Sequence, residues 1–97
     1  MKLKTNPATG LIQDELTARG ISFAQASRSM DIPRSRLSDM FAGRKGVSAD
    51  TALRLERYLG ISAALLIRLQ AEFDLSKAAQ EKRVALERIK PANSVAA

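Results

Sequence analysis

The sequence predicts an all-α fold, a compact bundle of five short helices with a C-terminal helical extension. Three observations support this expectation. Three glycines each follow a helix-like segment, where a residue in the left-handed region commonly ends a helix: Gly20, Gly43 and Gly60. Three serines stand where a side-chain oxygen can cap the next helix: Ser22, Ser48 and Ser62. β-branched residues are too few and too isolated to indicate strands.

The helices are expected at about residues 9–19, 23–30, 34–41, 49–59 and from about 63 onward. Pro7 offers an alternative start for the first helix, because proline fits a first helical turn. Ser22 and Gln25 match the capping-box pattern at the start of the second. Asp50 falls in the first turn of the fourth, where the helix dipole favours a negative charge.

The fifth helix has no obvious end, since neither glycine nor proline interrupts the chain between its start and Pro91. It either runs on or breaks near Asp74. Apolar residues thin out after that point, so residues 1–76 are expected to form a helix-turn-helix domain and residues 77–97 a basic C-terminal extension. The last part of this extension, residues 91–97, is expected to be a frayed tail.

The composition excludes several kinds of chemistry. The 97 residues suit one domain, and they include neither cysteine nor histidine. A disulfide framework and a zinc site are therefore not expected, and the common nucleophile–base pairs of hydrolases are missing. We expect no enzymatic activity, no metal and no cofactor. Because the chain has no apolar run of about 18 residues and no secretory signal pattern, we expect a cytoplasmic protein without a membrane partner.

The net charge of +6 comes from 16 Lys/Arg and 10 Asp/Glu residues, and the excess is concentrated in two blocks. In residues 33–46 four cations stand against Asp39 alone, and in residues 77–90 five cations stand against two acids. Two basic blocks are more typical of an anion-binding surface than of general solubilisation. Ordinary solvated charge is the alternative interpretation.

Residues 22–43 have the pattern of two helices joined by a tight turn. Ala26 and Met30 lie four apart on one face of the second helix, and Ile32 sits in the turn, where it can anchor both helices. The third helix has an apolar face of its own, formed by Leu37, Met40 and Phe41. This pattern predicts a helix-turn-helix, in which the start of the second helix projects from the body.

The polar residues of the third helix lie off its apolar face. N-terminal residues of such a helix meet base edges in the major groove, and arginine matches the O6 and N7 acceptors of guanine. We therefore expect base contacts from these side chains: Arg34, Ser35, Arg36, Ser38 and Asp39. Asp39 is expected either to orient the Arg36 guanidinium or to accept a hydrogen bond from a cytosine amine. Cations at a helix N-terminus oppose the helix dipole, which favours a function over ordinary surface charge.

Double-stranded DNA is the expected partner. Phosphate contacts, which position a protein without specifying sequence, are expected from Ser22, Gln25, Arg44 and Lys45. Two recognition helices about 34 Å apart read successive major grooves, so we expect a homodimer on a palindromic operator. The fifth helix carries apolar residues on more than one face, and the expected dimer interface is formed by Leu65, Leu66, Ile67, Leu69 and Phe73. The alternative is that the first four of these fill the core of the monomer.

Two stretches carry a resemblance to a known family. "GVSADTALRLERYLGIS" and the following "LIRLQAEFDL" resemble parts of the HigA-type antitoxins, which belong to the XRE or phage-repressor-like helix-turn-helix superfamily. The second stretch is similar to the family's Leu-Gln-x-x-aromatic-Asp-Leu signature, here Leu69, Gln70, Phe73, Asp74 and Leu75. The resemblance spans about residues 20–76 and implies a lambda-repressor-like five-helix bundle.

The resemblance implies a homodimeric DNA-binding antitoxin of a type II toxin–antitoxin module. Such a protein represses its own operon and neutralises a small mRNA-cleaving toxin. Two alternatives stay open: a stand-alone XRE-type repressor without a toxin, or a protein-interaction module with a degenerate helix-turn-helix. A membrane-surface helix at residues 77–90 ranks last, because its apolar face is small and lacks Trp and Phe. That segment is better suited to DNA phosphates or to folding against a toxin.

Four residues of the helix-turn-helix depart from the family pattern. Phe23 replaces the usual glutamine and so removes an amide that is linked to phosphate. Ser27 replaces a small alanine, and its hydroxyl needs a partner if it is buried. Asp31 replaces the usual turn glycine, and aspartate tolerates the left-handed region at some cost. Pro33 replaces a capping Ser or Thr, so it pre-sets φ but leaves the helix without a side-chain cap.

Overall fold

The computed structural model describes residues 5–92, which form six helices and no strand. The helices are α1 (Pro7–Ala18), α2 (Phe23–Met30), α3 (Arg34–Phe41), α4 (Ala49–Leu59), α5 (Ala63–Glu81) and α6 (Arg83–Glu87). The predicted all-α class is confirmed, and α2, α3 and α4 have their predicted bounds. α1 begins at the alternative start, with the proline ring in its first turn. Most of the predicted frayed tail, residues 93–97, lies outside the described residues.

α5 takes the first of its two expected courses, and it forms the predicted C-terminal helical extension together with α6. It passes Asp74 without a break and ends at Glu81, and the short α6 follows it. The residues between Asp74 and Pro91 include no glycine or proline, so nothing stops the helix at Asp74. All residues from 77 to 92 are exposed, and the principal extents of 56 × 23 × 21 Å reflect this elongation. α5 runs unbroken across the domain boundary expected after residue 76, and that boundary stays a prediction.

Side-chain caps fix where most of the helices begin. The three predicted serine caps form, with each Oγ accepting from the backbone N–H three residues on, at 3.1, 3.2 and 3.1 Å: Ser22, Ser48 and Ser62. α1 has a similar cap, because Asn6 Oδ1 accepts from Ala8 N at 2.9 Å. A cap of this kind contributes about 1 kcal/mol. α3 lacks a side-chain cap because it follows Pro33, as predicted.

The core lies between α5 and the helices that it crosses, α1 and α4, with α2 and α3 completing the bundle. Its largest fully buried side chains are Ile12, Ile32, Leu37, Leu55 and Leu66. Burying each such side chain stabilises the fold by roughly 1.5–3 kcal/mol. The expectation that Leu66 lies in a dimer interface is wrong, because it shares the buried face of α5 with Gln70 and has no exposed surface.

A buried amide ties three parts of the bundle together. Gln70 is only 8% exposed, and its Oε1 accepts hydrogen bonds from Asn6 Nδ2 at 2.7 Å and from Val47 N at 2.8 Å. Its Nε2 donates to Asp74 Oδ1 at 2.9 Å. These bonds join the start of α1, the loop after α3, and α5. Two residues of the signature stretch, Gln70 and Asp74, therefore hold the loop that follows the third helix.

Gly46 lies directly against this amide, and substituting it tests the contact. A Cβ at this position would lie 2.6 Å from Gln70 Nε2 and 2.7 Å from its Cδ. We expect Gly46→Ala to push the amide off its partners and to lower the free energy of unfolding, measured by urea denaturation, by about 1–3 kcal/mol.

Gly10→Ala is the matched control for that measurement. It adds the same methyl group inside α1, where a Cβ would meet nothing within 4 Å. We expect it to stabilise the protein by about 0.5–1 kcal/mol, because alanine favours a helix over glycine. Equal effects of the two substitutions would show that the Gln70 contact has no importance for stability.

Candidate nucleic-acid interface

The turn between α2 and α3 has the predicted helix-turn-helix geometry. Asp31 follows α2 with φ 53° and ψ 48°, which is the left-handed region expected of it. The buried Ser27 hydroxyl finds the partner it needs, donating to Ile32 O at 2.5 Å, while Ile32 N donates to Ser27 O at 3.0 Å. The Ile32 side chain is buried in the core. The turn is therefore fixed by its own hydrogen bonds and by the side chain beneath it.

Phe23 and Phe41 explain one departure from the family pattern. Their ring centroids are 4.9 Å apart with planes at 32°, and both rings pack partly buried against the core. Such an aromatic pair contributes about 0.5–1.5 kcal/mol beyond its buried area. The contact joins the start of α2 to the end of α3. Phe23 thus supplies packing between the two helices where the family's glutamine supplies an amide.

The first turn of α3 presents its polar side chains to solvent. Arg34, Ser35, Arg36 and Ser38 are exposed, and Asp39 is partly buried. Arg34 makes no ion pair among the described residues. Within residues 5–92 its guanidinium also makes no hydrogen bond, so its donors suit an acceptor such as guanine. The role of these five residues in base contacts stays a prediction.

Of the two roles expected of Asp39, orienting the Arg36 guanidinium is wrong, and the contact to a cytosine amine stays a prediction. Asp39 Oδ1 accepts from Arg44 Nε at 2.8 Å, whereas Arg36 Nη1 donates to Asp50 Oδ2, 3.1 Å away at the start of α4. The loop backbone explains the first pair, because the N–H groups of Arg44 and Lys45 both donate to Asp39 O, at 2.9 and 3.2 Å. This brings Arg44 back over the end of α3. Arg36 lies instead beside the first turn of α4.

Arg54 links α4 to the helix-turn-helix. Its Nε donates to Asp50 Oδ2 at 3.0 Å, and its Nη1 donates to Met30 O at 2.9 Å and to Asp31 O at 3.4 Å. It therefore satisfies carbonyl groups that a helix leaves without partners at its C-terminus. Neither Arg54 nor Asp50 was among the predicted site residues. Their four-residue spacing, which is that of a helical ion pair, is the signal that could have identified them.

The four predicted phosphate-contact residues flank α3 and are all exposed: Ser22, Gln25, Arg44 and Lys45. The Ser22 hydroxyl caps α2, but the Gln25 side chain returns no hydrogen bond to Ser22 among the described contacts. Only the serine half of the predicted capping box therefore forms. Arg44 is paired with Asp39, whereas Lys45 has no ion pair in the described part of the chain. Their contacts to phosphate stay a prediction.

The predicted dimer-interface residues of α5 divide between core and surface. Leu66 is in the core, Leu69 packs partly buried against it, Leu65 and Phe73 are half-buried, and Ile67 is exposed. Ile67 lines an apolar groove between α4 and α5 together with Leu53, which is 60% exposed. Leu53 was not predicted, and its signal is an apolar residue between the buried positions of α4.

No helix within residues 5–92 is long and apolar enough to cross a membrane. The same residues contain no cluster of three or more acidic side chains arranged to hold a metal ion.

The surface around α3 exposes cationic side chains and hydroxyl groups, and this combination suits an anionic ligand.

Arg54→Lys tests how much the link from α4 contributes to the helix-turn-helix. A lysine ammonium lacks the fork that reaches Asp50 and Met30 O from separate nitrogens. We expect the free energy of unfolding to fall by about 1–2 kcal/mol in urea denaturation. The control is Arg57→Lys, an exposed arginine on the same helix without an ion pair among the described residues, for which we expect a change below about 0.5 kcal/mol. Indistinguishable losses would contradict a bridging role for Arg54.

Sequence comparison places this geometry in a known family. A helix-turn-helix family model matches residues 12–66, which is more than half of the chain. Virulence-associated protein I of Dichelobacter nodosus is 32% identical over 78 residues, covering 80% of this chain and 72% of that protein.

Two solved structures are similar over almost the whole chain. An addiction module antidote protein of the HigA family from Coxiella burnetii is 25% identical, has a TM-score of 0.80, and matches 94% of this chain and 99% of its own. The Pseudomonas aeruginosa antitoxin HigA, solved with the higBA promoter, is 28% identical, has a TM-score of 0.83, and matches 93% of this chain and 99% of its own. The resemblance predicted from the sequence is confirmed: the chain belongs to the XRE-type helix-turn-helix family and is of the HigA type.

Proposed function

We propose that this protein is a DNA-binding antitoxin that acts in the cytoplasm as a homodimer, binds a palindromic operator and represses its own operon, without enzymatic activity. The observation that carries the proposal is the outward first turn of α3, where the exposed Arg34 has no ion pair among the described residues. The Pseudomonas aeruginosa relative, solved with its promoter, supports it, because that protein has the same fold over nearly the whole chain.

In this proposal α3 lies in the major groove and its residues divide the work of recognition. Arg34 donates to the O6 and N7 atoms of a guanine, and the hydroxyl groups of Ser35 and Ser38 contact neighbouring bases or phosphates. Lys45, at the opposite end of α3, binds a phosphate and positions the helix. Ser22 and Gln25 are expected to do the same from the start of α2. Specificity then comes from the first turn, and general affinity comes from the flanking residues.

The homodimer places a second α3 in the next major groove. Its interface is proposed on the apolar groove between α4 and α5, where Leu53 and Ile67 are exposed. The half-buried Leu65 and Phe73 lie off this face, because neither is three or four residues away from Ile67 on α5. A contact between two identical copies of this face is closed by a two-fold axis, which matches the symmetry of a palindrome.

The proposed toxin partner binds the C-terminal extension. This extension exposes apolar side chains that are not part of the core cluster: Val84, Leu86 and Ile89. Leu75, just before the extension on α5, is 71% exposed. A segment that served only to contact phosphates would have no need of these side chains, whereas a protein partner would bury them. This observation favours an antitoxin over a stand-alone repressor. In this family the toxin is expected to be a small mRNA-cleaving enzyme.

Two measurements test the function. In a gel shift, the palindrome upstream of the gene should bind roughly 10³-fold or more tightly than a random duplex at the same salt concentration. The product of the neighbouring small reading frame should co-purify with the full chain and lose its toxicity when both are expressed. A protein that binds no duplex at low salt would be an interaction module instead, and one that binds the operator but no neighbour would be a stand-alone repressor.

Arg34→Ala is expected to weaken operator binding by about 1–3 kcal/mol, because a bidentate contact to guanine is lost. The preference for one base pair should disappear, which competition with single-substituted operators measures. The melting temperature should stay nearly unchanged, since Arg34 has no ion pair among the described residues. Equal losses on operator and random DNA would instead assign this side chain to phosphate.

Lys45→Ala is expected to lower affinity for all duplexes by the same factor, because a phosphate contact carries no sequence information. A salt titration by fluorescence anisotropy should show the slope of log K against log salt becoming shallower by about one unit. A slope equal to that of the wild type would exclude a phosphate contact at this residue.

A further inference from the structure

Arg36 differs from Arg34 in being held by the protein itself. Its Nη1 donates to Asp50 Oδ2 at 3.1 Å, and both side chains remain open to solvent, 46% and 57% exposed. Ion pairs this exposed contribute little to stability. The main effect of this ion pair is therefore to orient the Arg36 guanidinium and to restrict its motion.

The carboxylate that holds Arg36 is fixed from a second side. The same Oδ2 of Asp50 accepts from Arg54 Nε at 3.0 Å, and Arg54 is bonded to Met30 O at the end of α2. Asp50 also stands in the first turn of α4, where the helix dipole favours its charge. A chain of contacts thus sets the position of this carboxylate relative to the turn that precedes α3.

The geometry of a guanidinium gives this restraint a specific effect. Arginine can bind two acceptors through its Nη1–Nη2 end or through its Nε–Nη2 edge. Asp50 takes one of the two N–H donors of Nη1, so Nε–Nη2 is the edge of Arg36 on which every donor is without a described partner. We infer that Asp50 is a positioning residue for DNA recognition: it restrains Arg36 so that this edge reads one guanine. The inference rests on the proposed function and adds a specificity-determining residue outside α3.

The charge of Asp50 has a separate effect. A carboxylate beside the first turn of α3 repels phosphate, so it lowers affinity for every duplex by a similar factor. This term leaves the ratio of operator affinity to random-duplex affinity unchanged. The restraint on Arg36 should therefore be what raises that ratio, although Asp50 touches no base.

Asp50→Asn tests the inference, because asparagine keeps the shape of the side chain and removes its charge. We expect affinity for a random duplex to rise and the operator-to-random ratio to fall by about five-fold or more, as loss of one good base contact would produce. Asp50→Asn should lose its sequence preference at the same base pair as Arg36→Ala does. Binding to a set of single-substituted operators identifies that base pair. In an Arg36→Ala background, Asp50→Asn should leave discrimination at that base pair unchanged.

Asp31→Asn is the matched control. It removes the same charge from the turn beside α3, keeps a residue that tolerates φ 53°, and breaks no ion pair among the described residues. Affinity should rise on all duplexes with an unchanged ratio. If Asp50→Asn gives the same pattern as this control, the positioning role is overturned and only a charge effect remains.

Asp50→Glu provides a second route if Asp50→Asn does not fold. Glutamate keeps the charge but places the carboxylate one methylene farther from the backbone, so Arg36 should no longer be held in the same position and discrimination at its base pair should fall. Retained discrimination would overturn the inference. Wild-type protein that prefers no duplex would overturn the proposed function together with the inference, whereas a specific wild type with an unaltered ratio in Asp50→Asn overturns the inference alone.

Discussion

The side-chain amide oxygen of Gln70, Oε1, fixes the loop that follows α3. It accepts one hydrogen bond from the loop backbone at Val47 and one from the Asn6 side chain, so α5, α1 and the α3–α4 loop meet at a single atom. Leaving such a buried group without partners costs about 1–3 kcal/mol, which penalises any other arrangement. Gly46 allows the close approach because it has no Cβ. The loop then carries Lys45 and delivers the chain to the start of α4, where Asp50 stands.

The cations around α3 therefore fall into two groups that composition does not distinguish. Arg54, Arg36 and Arg44 each have a carboxylate partner, and Arg54 also binds backbone carbonyls at the end of α2. Arg34 and Lys45 have no ion pair among the described residues. The first group shapes and restrains the surface, while the second offers unengaged charge to a ligand. The net charge of +6 therefore does not show which positive side chains have a carboxylate partner and which do not.

The helix bounds and the turn could be predicted because their signals are local. A serine caps the helix that begins beside it, and Asp31 takes the left-handed conformation that its place in the turn requires. The ion pairs could not be predicted in the same way, because they depend on how α3 and α4 cross. Asp39 and Asp50 were both chemically suited to Arg36, and only the packing selects Asp50. The same limit applies to α5, where the packing against α1 and α4 decides that Leu66 is buried and Ile67 is exposed.

Above all, we propose that DNA meets the first turn of α3, which follows the turn held by Arg54, while Gln70 fixes the loop at the other end of the helix. The most direct test of this claim is an NMR titration of the ¹⁵N-labelled protein with the operator duplex, followed at the backbone amides. We expect the largest chemical-shift changes at residues 34–36 and 44–46, with smaller ones at the start of α2. Changes confined to α5 and α6, with residues 34–36 unaffected, would contradict the claim.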